Sequence, residues 1–175
     1  MTITYQLTED DLLLNQLYAA AKSATLKRRN RYMRWILALA YIAIGLFAIH
    51  NGDWIFGASM GFVGILWFLF YPIYQKRRNT NHYRKFIREN QSNLIGQETI
   101  LTIADDFIFA KDVVSESKIN ISAMKKLVEL KENMIISLQG STIMIPKKYI
   151  DDLGQLKQIF HLKGIQVVDD SMWKW

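Results

Sequence analysis

Residues 35–52 read WILALAYIAIGLFAIHNG, and residues 54–75 read WIFGASMGFVGILWFLFYPIYQ. The first run has 18 uncharged residues and the second has 22, and at about 1.5 Å per residue such lengths suit a hydrocarbon core of about 30 Å. Neither run has a polar stripe, and a chain of 175 residues offers no partner that would bury both runs on all sides. We therefore predict two transmembrane helices, at about 34–50 and 54–75.

The link between the runs, His50-Asn51-Gly52-Asp53, is short and turn-forming, so we expect an antiparallel hairpin. Short loops rich in Lys and Arg stay in the cytoplasm. Of the 22 Lys and Arg residues, six lie in residues 22–34 and six in residues 76–88, whereas the link has none. The sequence thus predicts a two-span protein of the cell (cytoplasmic) membrane with both termini in the cytoplasm.

Three glycines, Gly57, Gly61 and Gly64, share one face of the second predicted span. Small residues on one face let membrane helices approach closely. This face is expected to pack against the first span of the same chain, and the alternative is a dimer interface. At the other end of the first span, Arg34 is able to extend its charged group towards the headgroups and lengthen a short span.

The segment ahead of the hairpin predicts a strand followed by a helix. Apolar and polar residues alternate over Thr2 to Leu7, which is the pattern of a half-buried strand. Thr8 and Asp11 then form a capping-box pattern, and an amphipathic helix follows. We expect this strand to pair with the sheet that the later part of the chain forms.

Beyond the hairpin, β-branched and apolar residues recur in short runs broken by turn residues, which predicts an antiparallel meander. A helix over Asp151 to Lys163 follows and ends at Gly164. The overall prediction is an α+β membrane protein in which a cytoplasmic antiparallel β half-barrel is capped by a C-terminal helix. The expected segments are a strand and helix (1–31), a hairpin (32–75), a basic connector (76–96) and the β domain (97–175). The six predicted strands are Glu98–Ile103, Phe107–Lys111, Ser117–Ile121, Leu127–Leu130, Met134–Leu138 and Thr142–Ile145.

The chain resembles the YcxB-like family of bacterial membrane proteins in three places. These are the start ITYQLTEDDLLLNQLY (residues 3–18), the hydrophobic hairpin, and the segment SKINISAMKKLVELKENMIISLQGSTIMIPKKYI (residues 117–150). The resemblance implies a C-terminal domain similar to a pleckstrin-homology (PH-like) fold. It implies no catalytic or binding residues.

Chemistry-bearing residues are sparse and scattered. The chain has no cysteine, and His50, His82 and His161 fall in three different predicted segments without metal-ligand spacing. The Asp105–Asp106 pair is expected to form a turn, and the Asp151–Asp152 pair is expected to cap a helix. We therefore predict no catalytic, cofactor-binding or metal-binding residues and no enzyme activity. From residue 90 onward the chain has 10 basic and 11 acidic residues, which argues against a nucleic-acid partner.

Two functional hypotheses follow. The first is a membrane-anchored, non-enzymatic interaction or regulatory module with a protein partner. The second is a lipid- or small-ligand-sensing accessory subunit at the inner leaflet. In either case the basic flanks, residues 22–34 and 76–88, are expected to attract anionic lipid headgroups by about 1 kcal/mol per cation, or else simply to set the topology. Met172, Trp173 and Trp175 at the end of the chain suit either the membrane interface or the β domain.

Overall fold

The computed structural model describes residues 1–113 and 115–175, and it has an α+β architecture. The described elements form two compact units, a helical unit (residues 17–82) and a β unit (residues 1–16 and 83–175). The helices are α1 (Glu9–Lys22), α2 (Ala24–His50), α3 (Trp54–Asn90) and α4 (Leu153–Leu162). The strands are β1 (Thr2–Gln6), β2 (Glu98–Ile103), β3 (Phe107–Lys111), β4 (Glu116–Asn120), β5 (Met124–Glu129), β6 (Asn133–Leu138), β7 (Thr142–Pro146) and β8 (Gln166–Asp169).

The helical unit contains two helices, α2 and α3, that are long and apolar enough to cross a membrane. Their large apolar side chains face outward, and Phe47 and Ile55 are 70% and 72% exposed. Soluble monomers rarely expose so many large apolar side chains next to one another. The turn between the helices forms as expected, because Gly52 adopts a positive φ of 90° and the Asp53 carboxylate accepts a hydrogen bond from the Phe56 backbone N–H at 3.1 Å.

Glycines bring the backbones of α2 and α3 into direct contact. A Cβ added at Gly45 would lie 2.7 Å from the carbonyl oxygen of Gly57, and one at Gly64 would lie 3.2 Å from the carbonyl oxygen of Ala38. The predicted packing of the second span on the first is therefore confirmed at Gly57 and Gly64. A Cβ at Gly61 would meet no atom of the described residues within 4 Å, so this third glycine is not required by the helix contact.

Arg34 has a more specific role than extension towards headgroups. In an α-helix the carbonyl of residue 68 accepts from the N–H of residue 72, but Pro72 has no N–H. The Nε of Arg34 donates to this Phe68 carbonyl at 2.9 Å, and the guanidinium lies 3.7 Å from the centroid of the Phe68 ring. Arg34 of α2 thus satisfies the backbone group that Pro72 leaves without a partner in α3.

Replacing Arg34 with leucine should destabilise the helical unit by about 1–3 kcal/mol, because an apolar setting offers the Phe68 carbonyl no substitute donor. In a Pro72→Ala background the same replacement should cost less than half as much, since the backbone N–H restored at position 72 can donate instead. Denaturing-detergent titration of full-length protein measures both free energies of unfolding. Arg31→Leu, at an exposed cation, is the control. Equal costs for Arg34→Leu in the two backgrounds would contradict this account.

The β unit contains two four-stranded sheets and is not a closed barrel. The first has the order β1-β2-β3-β4 and is antiparallel throughout. The second has the order β7-β6-β5-β8, and β8 pairs in parallel with β5. The six strands predicted after the hairpin are present: β2 and β3 have the predicted bounds, and the other four differ by one or more residues at one or both ends. The expectation of a wholly antiparallel arrangement was wrong, because β8 was not predicted and joins the second sheet in parallel.

The predicted pairing of the N-terminal strand is confirmed. β1 lies antiparallel to β2, with Ile3 opposite Leu101 and Tyr5 opposite Thr99. Ile3 and Tyr5 are buried in the same core as residues of both sheets and of α4, whereas Thr2, Thr4 and Gln6 are exposed. The first strand of the chain is therefore part of a domain whose other strands all follow the hairpin.

The second sheet is buried on both faces. Leu127, Ile136 and Ile145 belong to the core on one face. The register places Val128 and Met144 on either side of Ile135, and these three are also buried although they point the other way. The Thr142 hydroxyl donates to Asn15 Oδ1 at 2.9 Å, so α1 lies beside this second face.

Candidate functional site

The two basic flanks differ in their partners. In the flank after the second apolar run, Arg84 and Arg88 belong to the β unit and pair with the first turn of α1: Arg84 contacts Asp10 at 3.2 Å, and Arg88 contacts Glu9 at 3.0 Å. In the first flank, Lys27, Arg28, Arg29 and Arg31 are exposed along the start of α2. Part of the second flank is therefore structural, whereas Lys76, Arg77 and Arg78 of the same flank are exposed like the cations at the start of α2.

The histidines and carboxylate pairs form no metal centre among the described residues. His50 ends α2, His82 lies in α3 and His161 lies in α4. Asp105 and Asp106 form the turn between β2 and β3, as predicted. The Asp152 carboxylate accepts from the Gln155 backbone N–H at 2.9 Å, so the predicted capping of α4 is confirmed at this residue.

The end of the chain returns to the β unit. Met172 is exposed, but Trp173 and Trp175 are half-buried, and the Trp173 backbone N–H donates to the Asp170 carbonyl at 2.8 Å.

The β unit contains an open groove of about 520 Å³ between the start of α1 and the adjoining ends of β6 and β7, which we call the α1–β6 groove. It is lined by Thr8, Asp10, Asp11, Lys131, Glu132, Asn133, Pro146, Lys147 and Lys148. One wall is acidic and comes from α1, and the other carries Lys147 and Lys148. The groove thus has an acidic side and a basic side, although the three carboxylates and three lysines that line it give no net charge.

The acidic wall is fixed by the capping box that the sequence predicts. The Thr8 hydroxyl and backbone N–H both donate to Asp11 Oδ2, at 2.7 and 3.0 Å, and the Asp11 backbone N–H donates back to the Thr8 hydroxyl at 3.2 Å. Asp10 is anchored on its other side by Arg84. These contacts hold the first turn of α1, with its two carboxylates, in place beside β6.

The basic wall is held by Glu129 at the end of β5. Glu129 pairs with Lys147 at 2.7 Å and also with Lys157. Hydrogen bonds from Lys147 and then Lys157 lower the pKa of the Glu129 carboxyl below its ordinary value. The Lys147 side chain is only 18% exposed and is bound to Glu129, so Lys147 is not a free surface lysine.

Asn133 is the unusual member of the groove. It is 3% exposed, and its side-chain Oδ1 has no hydrogen-bond partner among the described residues. Buried polar atoms are nearly always hydrogen-bonded, so each exception in a native fold needs an explanation. Sequence reasoning missed this residue because Glu132–Asn133 is a typical turn pair, and no sequence signal distinguishes an exposed turn asparagine from this one.

No family model, curated protein or solved structure matches the chain.

Proposed function

We propose that the chain is a membrane-anchored, non-enzymatic interaction or regulatory module of the cytoplasmic membrane, with both termini in the cytoplasm. The observation that carries this proposal is that the apolar hairpin lies, along the sequence, between the two segments that form the β unit. β1 precedes α2 and α3, and its partner β2 follows them. The hairpin is therefore joined covalently to both ends of one domain, which suits an anchor that keeps the domain near the bilayer.

The fold proposed for the β unit is PH-like, in keeping with the resemblance to the YcxB-like family. Its support is the order of elements: four antiparallel strands, then three more, then α4 with Leu156 and Phe160 in the core. Such a fold carries no activity by itself, because function resides in sites on folds. The interaction role is inferred from the anchor.

A topology experiment tests the anchor. A reporter that is active only outside the cytoplasm should be silent when fused at residue 1 or residue 175 and active when inserted at Gly52, because both basic flanks favour the cytoplasmic side. A cytoplasm-active reporter at the same sites should give the reverse pattern. External activity at Trp175 would overturn the proposed hairpin.

Crosslinking in native membranes tests the interaction role. The full-length chain should yield a reproducible stoichiometric product after mild crosslinking. A hairpin-only chain (residues 17–82) inserted in the same membrane should not yield it, because the proposed contact lies on the β unit. Crosslinking of both chains to the same product would assign the contact to the spans and reject the role proposed for the β unit.

A further inference from the structure

We propose that β4 is a self-association edge, at which two copies of the chain pair their β4 strands antiparallel about a two-fold axis at Ser117. The inference rests on the proposed interaction role and names a second copy of the chain as the partner of the β unit. Because β4 is the last strand of the first sheet, this pairing joins two four-stranded sheets into one continuous sheet.

The backbone of β4 has an open edge. β4 pairs with β3, and the Ile121 backbone N–H donates to the Asp106 carbonyl at 3.0 Å, so the backbone groups of residue 121 face β3. Backbone groups alternate in direction along an antiparallel strand, so the N–H and C=O groups of Glu116 and Lys118 face away from β3. No described residue bonds to these outward groups, and they are therefore available to a further strand.

The charges of β4 are self-complementary about Ser117. Glu116 and Lys118 are exposed, lie on the same face of the strand and flank Ser117 on either side. With the two-fold axis at Ser117, Glu116 of each copy lies opposite Lys118 of the other, and opposite charges directly across a strand pair are stabilising. A register shifted by two residues in either direction would place Glu116 opposite Glu116 or Lys118 opposite Lys118, which is destabilising.

Contacts within the chain hold both charged side chains on the outer face of the sheet. Glu116 pairs with Lys111 of β3, and the Lys118 ammonium lies 4.1 Å from the centroid of the Phe107 ring. An ionised carboxylate can accept several hydrogen bonds, so Glu116 can bind Lys111 and a second ammonium together. These contacts place the charges for the cross-strand pairs without occupying the backbone edge.

The charge order of β4 distinguishes it from the other end strand of the first sheet. A lysine on an edge strand normally discourages pairing between sheets. On β4 the effect is reversed for a strand with the opposite charge order, and a second β4 that runs antiparallel has that order. β1 instead exposes Thr2, Thr4 and Gln6, which are uncharged and select no register.

Disulfide trapping tests the contact, since the chain has no cysteine. Ser117→Cys places a thiol at the two-fold axis, in a non-hydrogen-bonded pair whose Cα atoms should lie about 4.5 Å apart, within the range that a disulfide spans. The full-length variant in mild detergent should form a disulfide-linked dimer under mild oxidation. Thr4→Cys, at an exposed residue of β1, is the matched control and should remain monomeric.

Charge reversal in the Ser117→Cys background tests the register. Glu116→Lys and Lys118→Glu should each slow the formation of the homodimer at least about fivefold, because each change makes both cross-strand pairs repulsive. Mixing the two variants should restore trapping as a heterodimer, since the lysines of one copy then lie opposite the glutamates of the other. Both residues are exposed, so protease resistance of the β unit should be unchanged in both variants.

Three results would overturn the proposal: no dimer of Ser117→Cys above the Thr4→Cys level, homodimers that are insensitive to charge reversal, or no heterodimer on mixing. If trapping fails while crosslinking of the wild-type chain in native membranes still yields a stoichiometric product with another protein, self-association is rejected and the proposed interaction role stands. Failure of the two experiments can thus be told apart.

Discussion

Replacing Ile145 with aspartate is expected to unfold the β unit of the full-length chain. Ile145 is 0% exposed and packs in the core shared by both sheets. The change removes a buried aliphatic group, which costs about 2–5 kcal/mol, and it also buries a carboxylate with no partner. Against a typical stability of about 5–15 kcal/mol, the sum is enough to abolish a well-packed state.

Limited proteolysis in detergent measures the effect, because an unfolded β unit exposes cleavage sites that the folded one protects. Val113→Asp is the matched control, since it introduces the same group at a 65% exposed apolar residue. Lys147→Asp is unsuitable as a control because it would place a carboxylate beside Glu129. Equal protease resistance of the Ile145 and Val113 variants would contradict the observed register of β7.

The helical hairpin could be predicted because its signal is local and strong. Two long uncharged runs with basic flanks and a turn-forming link leave few alternatives in any chain. The role of Arg34 was out of reach, because the sequence does not show that the carbonyl left free by Pro72 faces α2. To predict such a contact, one must know how α2 and α3 are rotated about their own axes. That rotation depends on packing along the whole length of both helices.

The β unit could be predicted in its strand content but not in its layers. Period-2 alternation fails in residues 134–136 (MII) and 143–145 (IMI), because the face of the second sheet opposite the core is also buried. β8 was missed because four residues carry little pattern, and a parallel pairing with β5 is set by the crossover through α4 rather than by a local turn.

The candidate groove was the least predictable feature. It combines the start of α1 with strand ends more than 120 residues later in the chain. Its components each have an ordinary explanation in the sequence: Thr8 and Asp11 as a capping box, Glu132–Asn133 as a turn and Pro146 as a strand end. Only the structure shows that these residues lie together along one groove.

The second large effect concerns β1, where Ile3→Asp is expected to disrupt the β unit and Thr4→Asp is expected to be tolerated. Ile3 is 3% exposed and faces the core, whereas its neighbour Thr4 is exposed on the other face of the same strand. Adjacent residues of a strand point to opposite faces, so the two variants differ only in which face receives the charge. We expect a loss of several kcal/mol for Ile3→Asp and less than about 0.5 kcal/mol for Thr4→Asp.

Removing the strand altogether should have a related consequence. A chain that begins at residue 90 lacks the partner of β2, so it exposes both a core and a sheet edge and should aggregate. Supplying residues 1–16 through a flexible linker to residues 83–175 should restore a soluble domain, because these two segments make up the whole β unit and the strand pairs antiparallel along five residues of β2. A fusion that carries the Ile3→Asp change should fail to restore it.

Hydrogen exchange on the full-length protein in detergent provides the direct measurement. β1 pairs with β2 alone in the first sheet, yet Ile3 and Tyr5 are packed in a core that also includes Leu101 and Ile108 of β2 and β3. Paired amides of β1 should therefore open only with the β unit as a whole and exchange as slowly as those of β2 and β3. If every β1 amide exchanged as fast as a disordered tail, the strand would not belong to this domain. Only the end of α3 would then connect the hairpin to the folded domain. The proposal that the hairpin anchors this domain at both ends would be rejected.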